Sequence, residues 1–366
     1  MQQTIKERIR ALRMMLKSEA ISAFIIPSTD PHLSEYVASY WKTREWISGF
    51  TGSAGTIVIL KDKAGLWTDS RYFLQAAQQL EGTDITLYKE MLPETPTIIE
   101  FICQNLLPGE TVGIDGKMFS ANQVEQMKQK LETANVHLKD YGDLPGKIWN
   151  NRPDMPDAPA FIYDLKYAGK SCEEKIASIR TEIQKQGTDG LFISALDEIA
   201  WTLNLRGSDV HCNPVIISYL LITQNNITFF VSPQKITEEI KNYLEVAEKA
   251  DEFHKECGYD KVEPNTQYDI DWFIRFFDAA SNVSNEDLQK IWAKLLAGET
   301  ICKGCFSLRA IETLYNMSPD EARLFSEIAD IVIDGRYIFY EMGSIGEEIN
   351  KKYGFDVPSL RLLEEV

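Results

Sequence analysis

The residues best suited to chemistry in this 366-residue chain are few and scattered. Four histidines (His32, His137, His211, His254) and six cysteines could ligate a metal or act as acid, base or nucleophile. Cys302 and Cys305 form a C-x-x-C, and His254 with Cys257 forms a ligand-like pair upstream, so the four together could hold a tetrahedral zinc ion. Neither pair is flanked by the turns of a zinc knuckle, and one C-x-x-C is weak evidence, so this is the weaker alternative to no metal at all. A redox role for the same motif would need a depressed thiol pKa. Gly49, Gly52 and Gly55 suggest a phosphate cradle, but that site requires strand, glycine loop and helix in order. Here the loop precedes a strand, and a tight turn with close backbone approach is expected instead. His32 and His211 are expected to bond nearby backbone. Glu35 and Asp197 lack a partner carboxylate at catalytic spacing and are expected as caps or surface acids.

The chain carries 55 Asp and Glu against 38 Lys and Arg, a formal net charge of −17, which repels phosphate backbones and anionic lipid. Nucleic acid is therefore excluded as a partner. No stretch approaches ~18 consecutive apolar residues, so no membrane span is expected. The amino-terminal segment has no signal-peptide core, and six cysteines dispersed through the chain favour reduced thiols in the cytoplasm.

The elements that must position these residues recur once. Ile9, Leu12 and Leu16 fall at helical spacing before an apolar run, Ala23 to Ile26; a shift of 167 positions finds Ile176, Ile179 and Ile183 before Leu191 to Ile193. Asp197 falls where Asp30 fell. Each copy continues into a hairpin, Thr56–Leu60 with Gly65–Thr68 and Tyr219–Ile222 with Ile227–Val231. The first copy adds a strand near 85–88, a helix near 97–106, a strand at 112–114 and a helix near 121–131. The second reaches a helix at 236–244 that Thr237 could cap, then turns into an acidic run (Glu238, Glu239, Glu245, Glu248, Asp251, Glu252) expected to be a solvated face.

These patterns predict an α/β domain over 1–150, a Pro-rich linker over 151–159, a truncated second α/β domain over 160–246, a charged connector over 247–269 and a small, mainly α-helical domain over 270–366. Leu288, Ile291, Trp292, Leu295 and Leu296 give that helical domain a wide apolar face, with Ser284 and Gly298 as the expected caps. Ser318-Pro319-Asp320-Glu321 predicts another helix start. A second domain without its final strands leaves an open edge and uncovered apolar surface unless the helical segment covers it.

The segment Ser28 to Tyr36, the run Arg44 to Gly55 and Trp67-Thr68-Asp69-Ser70-Arg71-Tyr72 closely resemble the first domain of Xaa-Pro aminopeptidases (aminopeptidase P). Leu196 to Asp209 resembles the second domain of the three-domain cytosolic form, so the resemblance covers about residues 1–246. It implies tandem creatinase/prolidase N-terminal-type (ribonuclease H-like) domains. In that family a third domain carries two metal ions, usually manganese, and removes an N-terminal residue preceding proline. A two-metal hydrolase needs clustered carboxylates and imidazoles. None of the four histidines lies in a motif resembling the family's ligands, so no catalytic residue and no manganese is expected within this chain. The region after Val246, with Trp292 to Glu299 and Phe306 to Arg309, resembles a bacterial helical domain of unknown function. The resemblance also singles out Arg71, because such enzymes send an arginine from this domain toward the substrate, where its planar guanidinium meets a carboxylate or carbonyl. Pairing with Asp69 is the plainer reading. The expectation is a non-catalytic recognition front for a peptide with Pro at its second position. Its rivals are a recognition subunit for a separate metallopeptidase, a regulatory module acting through the helical domain, and a truncated or chimeric gene product.

Overall fold

Thr4 and Glu7 bond each other's backbone in a capping box that starts α1 (Ile5–Ser18). Its Ile9, Leu12 and Leu16 are buried, each side chain contributing roughly 1.5–3 kcal/mol on leaving water. The computed structural model describes residues 4–256, 270–302, 304–329, 332–333 and 337–338. Two compact units emerge: residues 1–158 with 193–199 and 207–219, and residues 159–192, 200–206 and 220–366.

In the first unit, β1 (Ala23–Ile26) pairs antiparallel with β2 (Thr56–Leu60), which returns in β3 (Ala64–Thr68). Helix α2 (Thr43–Ser48) lies between β1 and β2 in sequence. After α3 (Phe73–Gln79), β4 (Thr86–Lys89) adds parallel to β3. After α4 (Ile98–Asn105), β5 (Thr111–Ile114) adds parallel to β1 on its other side, and α5 (Ala121–Glu132) leads to β6 (His137–Asp140). The sheet order is β4-β3-β2-β1-β5-β6. Both faces of β1 are covered: Phe24 and Ile26 pack with α1, Trp46 and Trp149, while Ala23 and Ile25 pack with Phe101, Ile102 and Leu131. The expected strands and helices of the first copy are all present; β6 is an additional strand. Trp149 stacks on Trp46 at 4.9 Å, and Arg152 donates to the Tyr40 carbonyl at 2.8 Å, so the start of the Pro-rich segment is fastened to this unit, which runs to residue 158.

The second copy begins with β7 (Phe161–Ile162) and a single turn, α6 (Leu165–Ala168). A second capping box, Ser171 with Glu174, starts α7 (Cys172–Lys185), and β8 (Gly190–Ile193) follows. Helix and strand both sit 167 positions after α1 and β1, so the sequence repeat is a structural one. Side-chain anchoring repeats as well: Arg13 Nε donates to the Leu60 carbonyl at 2.8 Å, and Arg180 Nε to the Thr223 carbonyl at 3.0 Å. After α8 (Leu196–Leu203) and β9 (Leu205–Arg206), which pairs with β7, the hairpin β10 (Ser218–Thr223) and β11 (Ile227–Val231) completes a sheet of order β11-β10-β8. Among the described residues no counterparts of β5 and β6 extend it. Accordingly Leu191 and Phe192 on β8 are exposed where every residue of β1 is buried.

Thr237 Oγ1 accepts the Ile240 amide and starts α9 (Glu238–Glu256). Helices α10 (Ile270–Ala280), α11 (Glu286–Ile301), α12 (Leu308–Asn316) and α13 (Pro319–Ala329) follow, with a short pair β12 (Val332–Ile333) and β13 (Tyr337–Ile338). Buried Tyr243 of α9 packs on Phe277 of α10, and Phe276 meets Trp292 of α11 edge-on at 5.1 Å. Asn242 donates to the Ser281 carbonyl and Ser284 Oγ; Gln289 donates to Glu245 and accepts from Lys249 Nζ at 2.6 Å. The helical segment thus covers the apolar face of α9, and the described residues of 160–192, 220–246 and 270–366 fall in one unit. Glu245 therefore faces α11 and does not belong to a solvated run. The expected caps also shift. Asn285 caps α11 through the Asp287 and Leu288 amides, and Gly298 lies inside the helix, where a Cβ would come within 2.6 Å of the Phe306 ring. Ser318 and Glu321 form the expected box at α13. The terminal helix expected at 359–366 lies outside the described residues.

Candidate functional site

The Arg44 to Gly55 run is built around a buried cation. Arg44 is 5% exposed, and its Nε donates to Ser28 Oγ at 2.7 Å while Nη1 and Nη2 donate to the carbonyls of Phe50 and Gly52. The guanidinium lies over the Phe50 ring at 4.8 Å. Burial pulls its pKa down to about 10, which leaves it charged at neutral pH, and four acceptor or ring contacts offset the lost hydration. Gly49, at φ +74°, ends α2 in the left-handed region. A Cβ on Gly52 would lie 2.3 Å from the Phe50 ring and 2.8 Å from Tyr72 Cδ1. The glycines therefore serve a tight turn against aromatic side chains. No sequence motif singled out Arg44 as the organiser; the signal available was an arginine heading a loop rich in glycine and backbone carbonyls.

This loop meets the carboxyl end of β3. Asp69 caps a 3-10 turn over Ser70–Tyr72 by accepting the Arg71 amide at 3.0 Å. The same carboxylate takes Arg71 Nε at 3.0 Å and Nη2 at 2.7 Å, the two-point pairing that a planar guanidinium allows. Hydrogen bonding to Arg71 holds the Asp69 pKa down, and Asp69, followed by Tyr72 and Glu35, holds that of Arg71 up. Tyr72 lies under the guanidinium at 5.2 Å, and its hydroxyl is 2.8 Å from Ser53 Oγ. The Arg71 side chain is 60% exposed, and one edge of its guanidinium faces solvent. Desolvation, then the Asp69 charge, raises the pKa of Glu90. The arrangement presents a fixed, permanently charged donor able to meet a carboxylate or a carbonyl oxygen.

The remaining sequence candidates lie elsewhere. His32 is buried, stacked on Tyr219 at 4.3 Å, with Nδ1 2.9 Å from the backbone carbonyl of Ser194, 162 residues away in sequence. Asp30 is fully buried and accepts the His32 and Ser34 amides, whereas Asp197, its counterpart in the repeat, is an exposed acid in the first turn of α8. Glu35 and His211 are exposed. Cys302 and Cys305 are exposed, and their mutual hydrogen bond raises the Cys305 pKa to about 11, opposite to what a reactive thiol requires. Cys257 and the side chain of His254 lie outside the described residues. Among those described, no three His, Cys, Asp or Glu gather in a group that could hold a metal ion. The five described cysteines are free thiols, and no described helix is long and apolar enough to cross a membrane.

Residues 8–145 match the Creatinase/Prolidase N-terminal domain family, and residues 151–293 match a second family of the same description. The chain carries two creatinase/prolidase N-terminal domains in tandem. The second creatinase/prolidase match continues past residue 246 through α10 and into α11. The chain is 44% identical over 249 residues to Aminopeptidase P2 of Arabidopsis thaliana, covering 66% of this chain and 35% of that protein. It is 39% identical over 249 residues to Xaa-Pro aminopeptidase 1 of Dictyostelium discoideum, covering 66% and 40%. These relatives are eukaryotic. The backbone is similar to the X-prolyl aminopeptidase of Caenorhabditis elegans, a cytosolic enzyme with a di-nuclear active site, with a TM-score of 0.64 and 27% identity over 70% of this chain and 45% of that one. The chain thus spans about two fifths or less of the curated relatives it matches.

Proposed function

We propose that the two creatinase/prolidase domains act as the substrate-recognition front of a cytosolic Xaa-Pro aminopeptidase, with Arg71 as the group that meets the peptide. The observation that carries this reading is the posture of Arg71. It is aligned by Asp69, backed by Tyr72 and the loop that Arg44 organises, and still open to solvent on one edge. Such a donor, oriented by its two-point pairing with Asp69, can meet a carbonyl or carboxylate with its remaining edge. Residues 1–366 on their own do not cleave peptides in this account. Support comes from the chemistry that cleavage needs: two metal ions require clustered carboxylates and imidazoles, and none of the four histidines lies in a motif resembling the family's ligands. Manganese belongs to a catalytic domain of the family type.

The test is hydrolysis of a short Xaa-Pro peptide by the purified chain with added manganese, beside Arg71→Ala. No turnover in either protein is expected. Turnover that vanishes in the variant contradicts the account and places metal ligands among residues 247–366.

A further inference from the structure

The topology of the first unit creates a second place where a ligand fits. The chain leaves β1 toward β2, β3 and β4, then returns on the opposite side of β1 as β5 and continues outward to β6. The connections that follow β1 and β5 therefore diverge at the carboxyl ends of two adjacent parallel strands. In open α/β sheets that divergence leaves a crevice, and it is where ligands bind. A small cleft of about 30 Å³, open to solvent at its mouth, lies there. Ile26 at the end of β1 and Thr29 beyond it line the cleft, with Asp115 and Met118 after β5 and Trp41, Thr43 and Arg152 completing the wall.

The charges within it are unequal. Arg152 is already engaged: it is paired with Asp143, donates to the Tyr40 carbonyl at 2.8 Å, and stacks on the Tyr40 ring at 3.7 Å. Asp115 accepts the Lys117 amide at 3.2 Å; the Lys117 charge acts on it from a distance, and among the described residues no lysine or arginine makes a direct ion pair with it. We propose that this cleft binds a primary ammonium group carried on a short apolar chain, the cation at Asp115 and the chain against Ile26, Trp41 and Met118. An anion is disfavoured because the one cation lining the cleft is neutralised by Asp143. A neutral apolar molecule would leave the half-buried Asp115 carboxylate without a counter-charge in direct contact. Burial, then Asp143 and Asp140, pushes the Asp115 pKa up, against the opposing pull of the Lys117 amide and charge. The site is separate from Arg71 and stands or falls independently of the function proposed above.

Isothermal titration of the full chain at constant ionic strength decides it, with n-butylammonium as probe and n-butanol and butyrate as comparators. A ligand of this size is expected to bind with Kd on the order of 1 mM, and the two comparators at least ~10-fold more weakly. Asp115→Asn keeps an acceptor for the Lys117 amide and should weaken n-butylammonium ~10-fold; Thr43→Trp fills the cleft, leaves Asp115 in place and should do the same. Equal binding of n-butanol and n-butylammonium by the unmodified chain, which needs no variant to fold, overturns the proposal. Undiminished ammonium binding by both variants does so too.

Discussion

The Tyr72 hydroxyl lies 2.8 Å from Ser53 Oγ, and this contact ties the residue after Arg71 to the loop whose carbonyls Arg44 gathers. A buried arginine thereby fixes the platform on which an exposed one stands. The two share a residue type but differ in role because only Arg44 has all its donors directed inward.

Arg44→Met keeps the apolar stem and deletes the donors, leaving Ser28 Oγ and the Phe50 and Gly52 carbonyls without the partner they have now. A loss of about 3 kcal/mol of stability is expected, measured by denaturant unfolding. Arg44→Lys should recover less than half, since one ammonium cannot span all three acceptors. A change within about 0.5 kcal/mol for Arg44→Met would show that the loop holds without its cation.

Gly52→Ala places a methyl group 2.3 Å from the Phe50 ring and 2.8 Å from Tyr72, so one of the two rings must move. The cost should be about 1–3 kcal/mol. Chemical shifts of the Tyr72 ring should move with it, whereas unchanged shifts and stability would mean that the loop relaxes elsewhere.

His32 is buried on Tyr219, and burial is the main cause that lowers its pKa below the usual 6.5; the Ser194 carbonyl and Asp30 pull the other way. In that case the unfolded chain binds more protons than the folded one around and below pH 6.5. The stabilising contribution is complete above the unfolded value and is lost as pH falls through the folded one. Between pH 7 and 5 the native chain should therefore lose more stability than His32→Phe, which keeps the stacking. Parallel pH profiles for the two proteins would contradict this.

Limited proteolysis checks the packing of α10 and α11 on α9. In the full chain, residues 160–246 should resist cleavage about as well as residues 1–145. A chain ending at residue 256 uncovers Tyr243 and Val246 and removes the partners of Asn242 and Glu245, so 160–246 should be cut first. Equal resistance in the shortened chain would show that the second α/β domain is self-sufficient.

The repeat was readable because helix and strand periodicities are local: Ile9, Leu12 and Leu16 with Ala23–Ile26, and their counterparts 167 residues on, became α1–β1 and α7–β8. Thr237 and the Ser318 box were readable for the same reason, being caps set within three residues. Asn285 displaced Ser284 as a cap because Ser284 is engaged by Asn242, a contact 42 residues away in sequence. Gly298 lies within α11, and Phe306 packs where its side chain would be. Of the candidate site, Asp69 and Arg71 could be found from their spacing and the family resemblance. Arg44 could not, because its partners are backbone carbonyls, which leave no mark in the sequence. Asp30 and Asp197 occupy equivalent positions yet differ completely in burial, since tertiary surroundings and not register decide which carboxylate is enclosed.

Peptide binding at Arg71 is read from the affinity of the purified chain for an Xaa-Pro peptide, compared with Arg71→Ala and Arg71→Lys. Loss of a charge-assisted pair should weaken binding ~10-fold or more in Arg71→Ala, with Arg71→Lys recovering only a fraction because it lacks the two-point geometry. Equal affinity in all three proteins would contradict the account.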